Sequence, residues 1–255
     1  YDDNALAWFK QYQQASTTSP LYQNGLAMQR DLVKAFQQDV ANDNLPQVSW
    51  IIAPSTLSEH PSYLPAAGAD LTSRLLDALA ANPKVWAKTV FFLNYDENDG
   101  FFDHVPPPVA PSGTPGEYIN PLKAPAASGG ILGPIGLGFR VPMIVISPFS
   151  TGGWVASEVF DHTSCIRFLE TRFGVEEPNI SAWRRGTCGD LTSAFNFARP
   201  NLSFPSLPAT GPLLKQAEQE ADKLPPPTVP NPQVVPHQET QPIRRYRGVD
   251  SGYNS

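Results

Sequence analysis

The chain has 255 residues, a net charge of −6 and an apolar share of 41%, enough for a domain-sized core and contrary to the basic face that a nucleic-acid partner requires. No run reaches the roughly 18 consecutive apolar residues of a membrane-spanning helix, and no charged-then-apolar signal segment opens the chain. The 28 prolines are about twice the usual share and concentrate in loops and a tail.

Leu6, Trp8, Phe9 and Tyr12 recur at helical intervals over Asn4 to Ala15, as do Met28, Leu32, Val33, Phe36 and Val40 over Met28 to Val40; the spacing predicts two amphipathic helices. Val48 to Ala53, bounded by Pro46 and Pro54, reads as a short buried strand, followed by a loop holding Glu59 and His60. Leu71, Leu75, Leu76 and Leu79 mark one face of a helix from Asp70 that ends near Asn82-Pro83, because the residue before a proline disfavours helical geometry. Thr89 to Tyr95 is apolar over most of its length, the pattern of a strand covered on both faces of a parallel sheet.

Gly, Pro, Ser and Ala dominate from about Asp99 to Arg140, a loop longer than compact domains carry without a functional reason. Val141 to Ser147 reads as a third strand, with Pro142 at its start. Asp161 then opens a helix carrying Ile166, Phe168, Leu169 and Phe173, and Gly174 is placed to end it. The alternation of strand and helix favours an α/β layered fold. Beyond Phe197 only Leu213 to Leu224 suggests a helix, and residues 225–255 read as an extended or disordered proline-rich tail. Cys165 and Cys188 could form one bridge or be two free buried thiols.

The strongest chemical signal is Asp96-Glu97 at the end of an apolar strand, since open α/β sheets bind ligands beyond the carboxyl ends of their strands. If buried, two adjacent carboxylates call for a cation, and hard oxygen donors suit Mg²⁺, Ca²⁺ or Mn²⁺, with Zn²⁺ or Fe kept open by nearby histidines. The competing reading is an acidic, solvated turn, which Asp, Asn and Gly favour locally. His104, eight residues on, is a candidate to bind a ligand or merely hydrogen-bonds the loop, and His60, which follows a strand as Asp96 does, is a candidate phosphoryl contact or a surface side chain. Asp161 and His162 sit at a helix start, where the plain reading is a capping Asp161 and a structurally buried His162. No Gly-x-Ser-x-Gly elbow and no phosphate-binding glycine loop is present.

Asn94-Tyr95-Asp96-Glu97-Asn98-Asp99-Gly100-Phe101-Phe102-Asp103-His104-Val105-Pro106-Pro107-Pro108 resembles the diagnostic segment of bacterial phospholipases C of the non-haemolytic and mycobacterial type, within the acid-phosphatase-related phosphoesterase family. Ser58-Glu59-His60-Pro61, Val141 to Phe149, Phe160-Asp161-His162-Thr163-Ser164, Trp183-Arg184-Arg185 and Cys188 to Phe195 agree with it. The resemblance runs from Asp2 to about Gln238.

That resemblance implies an alkaline-phosphatase-like α/β fold, incomplete at its N-terminal side, with residues 1–224 as the C-terminal part of a catalytic domain. It implies a divalent metal ion held by Asp96 and Glu97, phosphoryl contact by His60, and positions near the site for His104, Asp161 and His162. The expected reaction is hydrolysis of a phospholipid such as phosphatidylcholine, or of a small phosphate ester, with transient membrane-surface contact and export from the cytoplasm. The family's Glu-Asn-Arg-Ser-Phe-Asp-His segment and its hydroxyl nucleophile segment have no counterpart here and are expected ahead of Tyr1. Acid phosphomonoesterase activity and a catalytically inactive binding fragment are the alternatives, and exposed strand edges with aggregation are a further expectation.

Overall fold

The computed structural model describes residues 3–98, 103, 105–119, 129–225, 228–229 and 231–234. It divides into two compact units, one from residues 3–88 and the described part of 202–234, the other from the described part of 89–201.

The first unit is helical. Helices α1 (Lys10–Gln13), α2 (Pro20–Gly25), α3 (Leu32–Ala41), α4 (Pro65–Ala81) and α5 (Pro83–Trp86) precede the strands, and α8 (Gly211–Glu220) returns to the unit. The single helix expected over Asn4 to Ala15 is instead a 3-10 turn at Ala5–Trp8 followed by α1. Trp8 and Phe9 are exposed, so no apolar stripe holds the two turns in line. Asp31 caps α3 through Lys34 N–H at 3.0 Å. Val33, Phe36 and Val40 on α3 and Leu71, Leu75, Leu76 and Leu79 on α4 form the core of the unit, because both sets recur every three to four residues. Asn82 closes this corner, donating Nδ2 to the Val40 carbonyl at 2.7 Å, while Thr210 ahead of α8 donates to Asp70 at 2.7 Å.

Val48 to Ala53 forms no strand, a correction to its sequence reading. Trp50 is 65% exposed and Ile52 42%. The local β pattern is real, but among the described residues no ladder partner lies beside it, and a strand exists only through such pairing.

The second unit carries β1 (Phe91–Asn94) and β2 (Met143–Ile146), followed by α6 (His162–Phe173) and α7 (Ala182–Thr187). The strands pair antiparallel, Phe91 opposite Ile146 and Asn94 opposite Met143, where a parallel sheet was expected. Continuous apolarity reports coverage of both faces and carries no direction. Ser147 locks the end of β2, donating Oγ to the Thr89 carbonyl at 2.7 Å. Phe92, Phe149, Phe168, Phe195 and Phe197 pack as a ring cluster with centroids 5.1 to 6.1 Å apart, near the range in which offset and edge-on pairs attract. Cys165 and Cys188 are both free thiols, so the bridge considered from sequence does not form here.

Candidate functional site

β1 delivers Tyr95, Asp96 and Glu97 at its C-terminal end. The peptide groups of Tyr95 are held on both sides: its N–H donates to the Pro142 carbonyl at 3.2 Å, and its carbonyl accepts Nε2 of His162 at 3.1 Å. A carbonyl can only accept, so this bond places a proton on Nε2 and leaves Nδ1 as the acceptor of a neutral ring. The chain entering Asp96 is thereby anchored to the residue before β2 and to the first residue of α6. The two carboxylates themselves are exposed, the environment of the solvated-turn reading rather than of a buried pair.

His162 owes its place to the start of α6. Asp161 N–H donates to Ser164 Oγ at 3.1 Å, as in a capping box, and its carboxylate accepts the Thr163 hydroxyl at 2.7 Å. The helix ends at Gly174, whose φ of 67° is the left-handed conformation that favours glycine.

Behind Asp161 lies a buried ionic cluster. Arg184 on α7 donates Nε to Glu117 Oε1 at 3.0 Å and Nη2 to Oε2 at 2.7 Å, while Nη1 reaches Asp161 Oδ2 at 2.5 Å. The Ser181 hydroxyl donates to Glu117 Oε1 at 2.6 Å. The side chains of Glu117, Asp161 and Arg184 are 2%, 5% and 15% exposed. The hydrogen bonds from Arg184 hold the Glu117 carboxyl below its usual range, and the same bonds, accepted by Glu117, raise Arg184. Arg184 was legible only as part of the Trp183-Arg184-Arg185 stretch that carries the family resemblance, and Glu117 not at all, since an isolated acid in a Gly- and Pro-rich loop has no local signature.

His60 belongs to the first unit. Its Nδ1 accepts the Ser62 N–H at 3.3 Å, and its ring meets Tyr63 edge-on at 6.2 Å. An accepting Nδ1 leaves the proton of the neutral ring on Nε2, as a donor. His104 lies outside the described residues; its neighbour Asp103 pairs with Arg140 through Nη2 at 2.8 Å.

Asp96 and Glu97 offer hard carboxylate oxygens, a donor type that fits a divalent cation. Among the described residues no group of three or more His, Cys, Asp or Glu side chains is placed to hold a metal ion; Asp96 and Glu97 are the two carboxylates that would offer oxygen donors to one. No helix of the described residues is long and apolar enough to cross a membrane.

Residues 1–176 match the phosphoesterase family. Over 253 residues the chain is 53% identical to the non-hemolytic phospholipase C of Pseudomonas aeruginosa, covering 94% of this chain and 36% of that relative. It is 50% identical over 233 residues to phospholipase C A of Mycobacterium tuberculosis, covering 85% of this chain and 44% of the relative. It is 29% identical over 197 residues to non-specific phospholipase C6 of Arabidopsis thaliana, covering 70% and 36%. The chain thus spans between about a third and under half of the length of these curated relatives.

Proposed function

Because the chain belongs to the phosphoesterase family, we propose that it is part of the catalytic domain of a phospholipase C, hydrolysing a phosphodiester such as phosphatidylcholine to diacylglycerol and phosphocholine. The observation that carries this reading is the 53% identity to a bacterial non-hemolytic phospholipase C across 94% of the chain. The finer architecture, an alkaline-phosphatase-like layered sheet to which β1 and β2 contribute, is part of the same proposal. Ile144 on β2, apolar and 52% exposed, suits a sheet face covered by further structure.

In this reading Asp96 and Glu97 are two ligands of a divalent metal ion, and the remaining ligands and the hydroxyl nucleophile come from the rest of the protein. When bound, such an ion offsets the negative charge on the phosphoryl oxygens. His60 donates through Nε2 to a phosphoryl oxygen. His162, with its Nε2 proton committed to Tyr95, holds the metal-ligand segment in place, and His104 is a third histidine of the site. The substrate approaches at a membrane surface, where Ile131, Leu132 and Ile135, all more than half exposed, offer apolar contact.

The test is hydrolysis of a chromogenic phosphocholine ester by the full-length protein with Mg²⁺, Ca²⁺, Mn²⁺ or Zn²⁺. Asp96→Asn and Glu97→Gln are expected to lower turnover by at least about 100-fold and His60→Ala by about 100-fold. Unchanged turnover in Asp96→Asn overturns the metal assignment. Preference for a phosphomonoester over the phosphodiester overturns the phospholipase reading in favour of a phosphatase.

A further inference from the structure

Arg184 joins three segments that are far apart in sequence. Its fork grips Glu117 from the long loop, its remaining Nη1 grips Asp161 at the start of α6, and its Nη2 also lies 3.4 Å from the Gly136 carbonyl. The next residue after Asp161 is His162, whose ring meets the Tyr95 carbonyl directly before Asp96.

We propose that Arg184 is a positioning residue of the phosphoester site: by clamping Asp161 against Glu117 it sets His162 on the Tyr95 carbonyl and so fixes how Asp96 and Glu97 leave β1. The inference rests on the reading of Asp96 and Glu97 as metal ligands. Two properties of the cluster support it. Two carboxylates share one guanidinium, an excess of one negative charge in a nearly dry place, and a buried ionic group of this kind adds little stability over well-packed apolar side chains. What it adds is geometry, since a planar fork engages Glu117 through two parallel bonds and still directs a third at Asp161, which a lysine ammonium cannot do. Its neighbour Arg185 provides the contrast. Arg185 forms an equally good fork on Glu170, with both bonds at 2.7 Å, but Glu170 lies toward the far end of α6, two turns from His162.

The experiment compares Arg184→Lys, Arg185→Lys and Asp96→Asn in the full-length protein. It reads kcat and KM on a chromogenic phosphocholine ester, Mn²⁺ affinity by calorimetry, melting temperature, and the imidazole ¹⁵N signals of His162. Arg184→Lys is expected to lower kcat by about ten- to a hundred-fold with KM within about two-fold, because misplacement of a supporting group acts on the reacting geometry. Mn²⁺ affinity falls about ten-fold or more, and the single Nε2–H form of His162 becomes a mixture. Arg185→Lys lowers the melting temperature to a similar degree with kcat, Mn²⁺ affinity and His162 signals unchanged.

If Arg184→Lys fails to fold, Glu117→Gln, which keeps the Asp161 contact and loosens the anchor, is read in its place with smaller shifts in the same direction. Loss of turnover in Asp96→Asn together with unchanged kcat, Mn²⁺ affinity and His162 signals in Arg184→Lys overturns the positioning role alone. Unchanged Mn²⁺ affinity and turnover in Asp96→Asn overturns the site reading and this inference with it.

Discussion

Arg184 donates to both carboxylate oxygens of Glu117 across 67 residues of chain, at 3.0 and 2.7 Å. Removing the cation leaves Glu117 and Asp161 buried side by side without a counter-charge. Arg184→Met is therefore expected to destabilise the second unit by about 3–5 kcal/mol. Adding Glu117→Gln to Arg184→Met should recover part of that loss, which a double-mutant cycle in urea measures. Simple additivity of the two changes would show that the pair is not coupled.

Acid should weaken the α6–α7 junction. The hydrogen bonds from Arg185, helped by the Glu177 N–H, hold the Glu170 carboxyl down to about 2 against an ordinary value of 4.5. A carboxyl lowered by folding adds stability that is fully present above its unfolded value and is lost as the pH falls through its folded one. The melting temperature should decline between about pH 4.5 and pH 2. In Glu170→Gln that decline should be shallower, whereas an unchanged slope would assign the acid sensitivity to other carboxyls.

Cys188 should be a poor nucleophile. Burial first, and then the nearby Asp161 charge, push its thiol up to about 11, and burial also raises Cys165. At pH 8 the native protein is expected to alkylate at both cysteines at least about ten-fold more slowly than the urea-unfolded chain. Mass spectrometry after an iodoacetamide pulse reads this directly, and rapid native labelling would contradict it.

Leu79 is the best-buried side chain on α4, at 0% exposure. Leu79→Ala leaves a void in the buried face of α4 and is expected to cost about 2–5 kcal/mol. Leu224→Ala, at a residue 65% exposed, should stay within about 0.5 kcal/mol. Equal losses in chemical denaturation would mean that the α3–α4 contact is not the core of its unit.

Local chain geometry was determined by the sequence alone wherever its cause is local. Asp161 followed three residues later by Ser164, and Gly174 after Phe173, delimit α6 because caps and left-handed glycines act within one turn. The leucines of α4 declare its face through their own spacing, although its start lies earlier, at Pro65, where a proline suits the first turn. The Asp96-Glu97 segment was likewise recognisable from its neighbours in the chain. Only tertiary structure decided what depends on a distant partner. β1 and β2 are each apolar whichever way the other runs, so their antiparallel register had no local sign. The β-rich Val48 to Ala53 needed a neighbour to become a strand and has none among the described residues. Glu117 is one acid in a loop until Arg184 reaches it, and a charge shows its role only through the charge opposite.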